Sequence, residues 1–336
     1  MIVANPNISK IFDDHLNSLC TLLSKKYQYI TTLNEHKFTS ALEYLIEAHS
    51  RNIPFLAQGF LECQKYMCSN DVDKFLNDHL RVRIGMRLVA EQHIALHYSS
   101  QSKQKFSPSD QHRLPSPSYI GVLDTELKPF SVIQSCASFV SEICELKYGL
   151  RPSYVINGDI SVSISYVPLH LEYIITELLK NAFRATIENS MCQEPVIITI
   201  AAVPYFHRKN LFRHHINSKI AAEDINSRND LSDKLTSGLT IRIRDRGGGI
   251  SPKAFPYIWS YSFTTFSDDS SKIRDVNSAN FFQKNFDFIT GSSSIAGLGY
   301  GLPLARAYAE YFNGSIALQN LHGWGCDAYL RIRGLS

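Results

Sequence analysis

The stretch Glu177-Leu178-Leu179-Lys180-Asn181-Ala182-Phe183-Arg184-Ala185-Thr186 decides how the second half of this chain folds. Its polar side chains recur at i, i+3, i+4 and i+7, a spacing that places them on one face of a helix over about 168–189: Glu177, Lys180, Asn181 and Arg184. Apolar residues such as Ile174 and Leu178 occupy the other side and can pack against a sheet. Taken alone, this pattern is more often an ordinary amphipathic helix with a solvated charged face.

A second motif, Asp245-Arg246-Gly247-Gly248-Gly249-Ile250, follows a segment in which Leu239, Ile241 and Ile243 alternate with polar residues, as in a half-buried strand. Glycine permits positive φ and a close approach of the backbone to a ligand, which makes Gly247 and Gly249 candidate binding residues. A carboxylate at the end of a strand, here Asp245, suits a fixed polar contact such as one with an adenine amino group. A tight turn is the alternative, but a turn needs one or two glycines rather than three.

The third motif is Gly297-Leu298-Gly299-Tyr300-Gly301-Leu302-Pro303. Its alternating glycines expose backbone N–H groups, and Pro303 stands where the first turn of a helix over about 302–313 would begin. A helix N-terminus preceded by glycines is suited to bind an anion. The segment is neither a Walker loop, because no Gly-Lys-Ser/Thr follows, nor a dinucleotide fingerprint, because no strand directly precedes it. Each motif is weak by itself, but their combination and order favour a binding site over a purely structural arrangement.

The first half of the chain has the sequence pattern of helices rather than of alternating strands and helices. Apolar residues recur at helical spacing in 42–62, where Pro54 predicts a kink, and in 74–99. We therefore expect an antiparallel helix bundle, a surface loop over 101–118 and a further helix over about 129–147 that ends before Gly149.

Strand candidates and helices alternate after residue 150. Val196 to Ile200 reads as a buried strand, and two strands over about 315–321 and 326–333 flank a hairpin. The predicted fold class is a two-domain α+β protein, with a helix bundle over 1–150 and an α/β sandwich containing a mixed sheet over 151–336. Polar stretches interrupt the second domain: about 204–237 reads as a solvated insertion, and about 267–296, between two glycine motifs, as a lid over a ligand.

Composition excludes several classes of protein. With 336 residues, 44% of them hydrophobic, the chain can bury a sizeable core, and its formal charge of +3 gives no field that would favour nucleic acid or a membrane surface as a partner. The seven cysteines form no CxxC pair, which favours reduced thiols over a zinc site or a disulfide framework. No apolar run approaches the roughly 18 residues that a transmembrane helix needs. The first residues resemble neither a signal peptide nor a transit peptide.

The order of these motifs resembles the GHKL nucleotide-binding fold, and most closely the mitochondrial 2-oxoacid dehydrogenase kinases, which act on the pyruvate and branched-chain α-ketoacid dehydrogenases. The three motifs above carry the resemblance, together with segments that extend it over roughly residues 40–336: His49 to Gly59, Arg83 to Leu88, Arg306 to Tyr311 and Gly323 to Asp327.

The resemblance implies a role for each candidate residue, with Mg-ATP as cofactor. Glu177 would be the general base that accepts the proton of a substrate serine, Asn181 would bind Mg²⁺, and Lys180 and Arg184 would support Glu177 and the phosphates. Asp245 would accept a hydrogen bond from adenine. The remaining positions would contact the nucleotide or wrap its phosphates: Gly247, Gly249, Thr264, Thr265, Gly297, Leu298, Gly299, Tyr300, Gly301 and Leu302.

Some positions depart from the resemblance. Cys326 stands where the family usually has Thr, and Tyr173, one turn before Glu177, replaces a His of the pyruvate dehydrogenase kinases but agrees with the branched-chain kinases. His93 matches a histidine that the family shares with histidine kinases, although a hydrogen-bonded core histidine is the better interpretation. By comparison with the family, we expect short helices before about residue 40 and no long C-terminal tail of the kind that some members have.

The resemblance implies a protein-serine kinase that phosphorylates and inactivates the E1α subunit of a mitochondrial 2-oxoacid dehydrogenase complex, with pyruvate dehydrogenase favoured over the branched-chain enzyme. It further implies the lipoyl domain of the E2 core as a partner, a homodimer and a location in the mitochondrial matrix. Two alternatives remain open: an ATPase-driven conformational machine on the same fold, and a degenerate kinase that acts as a binding module.

Overall fold

The computed structural model of the chain describes residues 4–25, 35–105, 118–202, 238–261, 263 and 299–335. Seven helices are found in these residues: α1 (Pro6–Lys25), α2 (Glu35–Ala48), α3 (Asn52–Cys63), α4 (Ser69–Lys105), α5 (Pro129–Tyr148), α6 (Pro168–Glu188) and α7 (Gly301–Tyr311). Eight strands accompany them: β1 (Tyr119–Ile120), β2 (Leu123–Leu127), β3 (Tyr154–Gly158), β4 (Ile164–Tyr166), β5 (Val196–Ala202), β6 (Leu239–Arg244), β7 (Ser315–Leu321) and β8 (Gly325–Ile332). Short 3₁₀ turns span Gln64–Tyr66 and Phe255–Tyr257.

Helices α1 to α4 form the expected helix bundle, in which α1 packs on α3 and α2 on α4. One detail of the prediction was wrong: 42–62 is not a single kinked helix. The chain turns over residues 49–51, and Pro54 lies in the first turn of α3, where a missing N–H leaves no helical hydrogen bond unmade. Because α3 begins only two residues before Pro54, the proline interrupts no helix and causes no kink.

The second half contains the predicted mixed sheet, in the order β3-β5-β6-β8-β7. Strands β3 and β5 run parallel and the other pairs are antiparallel. The face that packs against the helices is apolar because every second residue points to it; Ile198, Ile241 and Leu330 are 0% exposed. Burying each such side chain contributes about 1.5–3 kcal/mol.

Helices α6 and α7 cover one face of this sheet, and α5 packs on α6. The bundle meets this layer where α4 crosses α7, and Gly85 of α4 allows a close approach: a Cβ there would lie 2.8 Å from the Tyr311 hydroxyl. The fold class expected from the sequence is thus confirmed. No helix in the described part of the chain is long and apolar enough to cross a bilayer.

A second, three-stranded sheet in the order β1-β2-β4 was not predicted. Strand β2 pairs with β4 across residue 150, since Asp124 lies opposite Tyr166 and Leu127 opposite Ile164. The strands are two to five residues long, too short for an alternating pattern to identify them. The domain boundary near residue 150 stays a prediction, and the stretches 204–237 and 267–296 fall on residues that are not described.

Candidate active site

Helix α6 presents the predicted stripe of polar side chains. Pro168 begins the helix, where its fixed φ suits the first turn. The apolar side is fully packed: Ile174, Ile175 and Leu179 are all 0% exposed. That packing fixes the rotation of the helix, so Lys180 and Arg184 are partly exposed and Asn181 is exposed on the side away from the core.

Glu177 is buried, with 7% of its surface exposed. Its Oε1 accepts a hydrogen bond from Nζ of Lys180 at 2.8 Å. The two residues lie about one helical turn apart and form an ion pair. The other oxygen, Oε2, faces the start of α7, where a Cβ on Gly301 would collide with it. The buried carboxylate is therefore held between a lysine on one side and the glycine-rich start of a helix on the other.

Asp245, also 7% exposed, directly follows the last residue of β6, as predicted. Its Oδ1 accepts backbone hydrogen bonds from Gly247 (2.8 Å) and Cys326 (3.2 Å). Burial raises the pKa of this carboxyl group, and the two N–H donors oppose that effect. Among the described residues only Oδ1 is engaged, so Oδ2 remains for an outside donor.

The turn after Asp245 is held in place by contacts that could not be predicted from the sequence. Gly247 packs so closely on α6 that a Cβ there would clash with Ala185. The side chain of Asn189 donates to the Gly247 carbonyl, while Asn320 bonds both the N–H and the carbonyl of Ile250 at 2.7 Å each. The space beside Gly249 (φ +72°) is filled by Leu321, so these glycines serve the packing of the turn.

Two contacts along the second half of α6 define the dimensions of the site. Glu177 faces Gly301 near the middle of the helix, and Ala185 faces Gly247 two turns later. Eight residues of helix separate these contacts by about 12 Å. Lys180, Asn181 and Arg184 lie along this interval, and Arg184 pairs with Glu188 at 3.5 Å. An elongated polar ligand along this face would have Asp245 at one end and Glu177 at the other.

Gly299, Tyr300, Gly301 and Leu302 lie at the start of α7 as predicted, and Tyr300, the N-cap residue, is 1% exposed. Four other candidates lie outside the described residues: Thr264, Thr265, Gly297 and Leu298. Any contact of theirs with a nucleotide stays a prediction.

The structure also defines the surroundings of Cys326, which departs from the resemblance, and of His93, which agrees with it. The pKa of the Cys326 thiol is raised to about 12 by burial and by the nearby Asp245 and Asp327 carboxylates, so the thiol is neutral where a hydroxyl was expected. The Nε2 atom of His93 and the hydroxyl group of Thr39 are hydrogen-bonded at 3.2 Å, and this bond joins α4 to α2. This confirms a hydrogen-bonded histidine, half-buried rather than in the core.

Comparison with known protein families agrees with this geometry. Residues 166–334 match the family described as histidine kinase-, DNA gyrase B- and HSP90-like ATPases, and residues 1–124 match the family described as mitochondrial branched-chain alpha-ketoacid dehydrogenase kinase. The first match covers α6, α7 and four of the five strands of the sheet, β5 to β8. The fold and the site together define a nucleotide-binding domain of the GHKL class, joined to a helix bundle.

Similar proteins narrow this class. The chain is 30% identical to mitochondrial pyruvate dehydrogenase (acetyl-transferring) kinase 1 of Saccharomyces cerevisiae, over 99% of its own length and 72% of the yeast protein. The corresponding kinase of Arabidopsis thaliana is 28% identical, with 98% and 76% covered. Isozyme 4 of Homo sapiens is 29% identical, with 89% and 62% covered. The chain belongs to the mitochondrial dehydrogenase kinase family, which includes the pyruvate and branched-chain enzymes.

Proposed function

We propose that this protein is an ATP-dependent protein-serine kinase that phosphorylates and inactivates the E1α subunit of a mitochondrial 2-oxoacid dehydrogenase complex. The observation that carries the proposal is the position of Glu177: a buried carboxylate, paired with Lys180, whose Oε2 faces the first turn of α7. A base held at the start of a helix lies where the terminal phosphate of a bound nucleotide would meet an acceptor hydroxyl.

The residues present fit Mg-ATP. Asn181 offers a hard amide oxygen beside Glu177, and Lys180 and Arg184 supply positive charge on the same face. A single protein oxygen together with phosphate oxygens and waters is a common way to hold Mg²⁺. When bound, Mg-ATP supplies the phosphoryl group and the neutralisation of its charge.

Each residue then has a defined task. Asp245 accepts from the adenine amino group through Oδ2, since its Oδ1 is held by the backbone. Backbone N–H groups at the start of α7, from Gly299 to Leu302, bind phosphate oxygens. Glu177 takes the proton of the acceptor serine, an effect worth about 10²–10⁴ in rate.

Pyruvate dehydrogenase is the proposed acceptor, because three similar proteins from a yeast, a plant and a mammal are pyruvate dehydrogenase kinases. The branched-chain α-ketoacid dehydrogenase E1α is the second candidate. It is favoured by Tyr173, which is of the branched-chain type, and by the family matched by residues 1–124. These two observations concern the ATP-binding half and the bundle rather than the acceptor surface.

Family membership also supports three further proposals. They are docking to the lipoyl domain of the E2 core, a homodimer, and a location in the mitochondrial matrix; the similar proteins are themselves described as mitochondrial. Co-sedimentation with E2 would test the docking, light scattering the homodimer, and cell fractionation the location.

The central test uses the two purified E1 components with radiolabelled ATP. We expect Glu177→Gln to lower phosphorylation of E1α at least 10²-fold while ATP binding persists, because the amide keeps the shape but cannot accept a proton. Glu310→Gln, which changes an exposed glutamate on α7, is the matched control and should transfer at the normal rate.

The results separate the candidates. Full transfer by Glu177→Gln would refute the role of this residue. Faster labelling of branched-chain E1α than of pyruvate dehydrogenase E1α would make the branched-chain enzyme the preferred acceptor. ATP turnover without an acceptor would favour the conformational ATPase, and ATP binding without transfer to either E1 would favour the degenerate kinase.

A further inference from the structure

The chain that leaves the sheet after β6 is fastened to the helix bundle at Tyr261. Its backbone N–H donates to Oδ1 of Asp73 at 3.0 Å, and its hydroxyl donates to Oδ1 of Asn77 at 2.8 Å. Both acceptors lie on α4, one turn apart, so they present two oxygens to a single residue. Tyr261 is only 6% exposed, which makes these contacts part of a packed interface.

Tyr261 in turn contacts the start of α7. Its ring lies 5.2 Å from the ring of Tyr300, the N-cap residue of α7, at an angle of 51°. Two residues beyond Tyr261, the backbone of Phe263 fills the space that a side chain on Gly299 would need, and Gly299 has a φ of +75°. The backbone of Phe263 thus packs directly on Gly299, while the ring of Tyr261 packs on that of Tyr300.

A continuous series of contacts therefore runs from the bundle to the proposed base. It starts at Asp73 and Asn77, passes through Tyr261 to Tyr300, and reaches Gly301, which lies against Glu177. Apart from the covalent step from Tyr300 to Gly301, these contacts join distant parts of the chain; Tyr261 and Asn77 are 184 residues apart. These contacts join the bundle to the helix start at which phosphate binding is proposed.

We propose that Asp73 and Asn77 are positioning residues for the nucleotide site: by holding Tyr261 they hold Tyr300 and the N-terminus of α7, and so couple the position of α4 to the affinity for Mg-ATP. A partner that moves α4 would then change ATP binding without touching the nucleotide. The proposal rests on the proposed function only in that the start of α7 binds ATP phosphates.

The coupling has a reciprocal consequence. If the position of α4 alters ATP affinity, then ATP must stabilise α4 in the same position by the same free energy. Amide groups of α4 around residues 73–77 should exchange more slowly with solvent when Mg-ATP is bound. A contact that is merely structural would protect these amides equally with and without nucleotide.

The test measures Mg-ATP affinity of the full chain by titration calorimetry in a double-mutant cycle. We expect Tyr261→Phe and Asn77→Ala each to weaken binding about three- to tenfold, the order of one net hydrogen bond. The double variant should be no weaker than the poorer single variant, because both changes remove the same contact. Asp73→Ala should act in the same direction, whereas Asp78→Ala, an exposed change on the same helix, should bind normally.

Hydrogen exchange completes the experiment. ATP-dependent slowing at 73–77 in the unsubstituted chain, reduced in Tyr261→Phe, supports the coupling. Unchanged affinity in both single variants, with or without a lower melting temperature, would overturn it. Binding without transfer to any E1 would overturn the proposed kinase function and leave the coupling standing, while no ATP binding by the unsubstituted chain would overturn both.

Discussion

The Glu177 carboxylate can lie beside the first turn of α7 only because residue 301 has no side chain. A Cβ at Gly301 would collide with Oε2, the oxygen that Lys180 leaves unbound. The end of a glutamate is flexible and can move away, so the protein would still fold. What it would lose is the position of the base, to which proton transfer is very sensitive.

Gly301→Ala is therefore expected to lower phosphoryl transfer about 10–100-fold with little change in melting temperature, because alanine is a better helix former than glycine. Steady-state rates with saturating ATP and a thermal melt of the same samples would measure both. A normal rate in this variant would mean that Glu177 does not act from its position against α7.

Helix α5 ends at a glycine that is needed for its backbone conformation, whereas Gly301 is needed because a side chain would not fit. It ends at Gly149, whose φ of +67° lets its N–H donate to the Glu145 carbonyl at 2.9 Å. No atom lies within 4 Å of a Cβ built at this position. A substitution there would meet no steric clash, so its cost is that of the left-handed backbone alone.

We predict that Gly149→Ala lowers the free energy of unfolding by about 1–2 kcal/mol, and that Gly149→Asn lowers it less, because asparagine tolerates this conformation better. Urea denaturation of the three proteins measures the difference. Phosphoryl transfer should be unaffected, the reverse of Gly301→Ala. Equal stability of all three would show that α5 does not need its left-handed cap.

Across the whole molecule, buried neutral histidines link stability to pH. Burial, reinforced by nearby Arg87, lowers the pKa of His170 to about 3. Burial, together with His15 and Arg83, lowers the pKa of His79 to about 4. Both are neutral in the folded chain, whereas an unfolded chain protonates them near 6.5. Between pH 6.5 and 4 the unfolded state thus binds more protons, and acid favours it.

The free energy of unfolding should fall as the pH is lowered below 6.5, by up to about 1.4 kcal/mol per pH unit for each such histidine. His170→Phe should reduce this slope, since phenylalanine keeps the ring that packs on Tyr308 but binds no proton. Urea midpoints at pH 7.5 and 5 would measure it. His322→Phe, an exposed change in the hairpin, should leave the slope as it is; an equal slope in His170→Phe would contradict the prediction.

Local patterns predicted more of the helices than of the small strands. The bounds of α5 and α6 and of β6, β7 and β8 were found within two residues, because each carries a clear period or a terminal Pro or Gly. Strands β1 to β4 were missed, since so few residues cannot show alternation. In the site, Asn189 and Asn320 carried no signal: their partners lie 58 and 70 residues away.

The sequence by itself determined the chemistry that each segment can offer: a polar stripe on α6, a carboxylate directly after β6, and a glycine-rich start of α7. These follow from helical and strand periodicity and from the properties of glycine and proline, which act over a few residues. Tertiary structure alone decided that Glu177 meets Gly301, that Asp245 lies beside Cys326, and that α4 holds Tyr261. Such contacts depend on how the buried faces of distant elements pack, which no local pattern specifies.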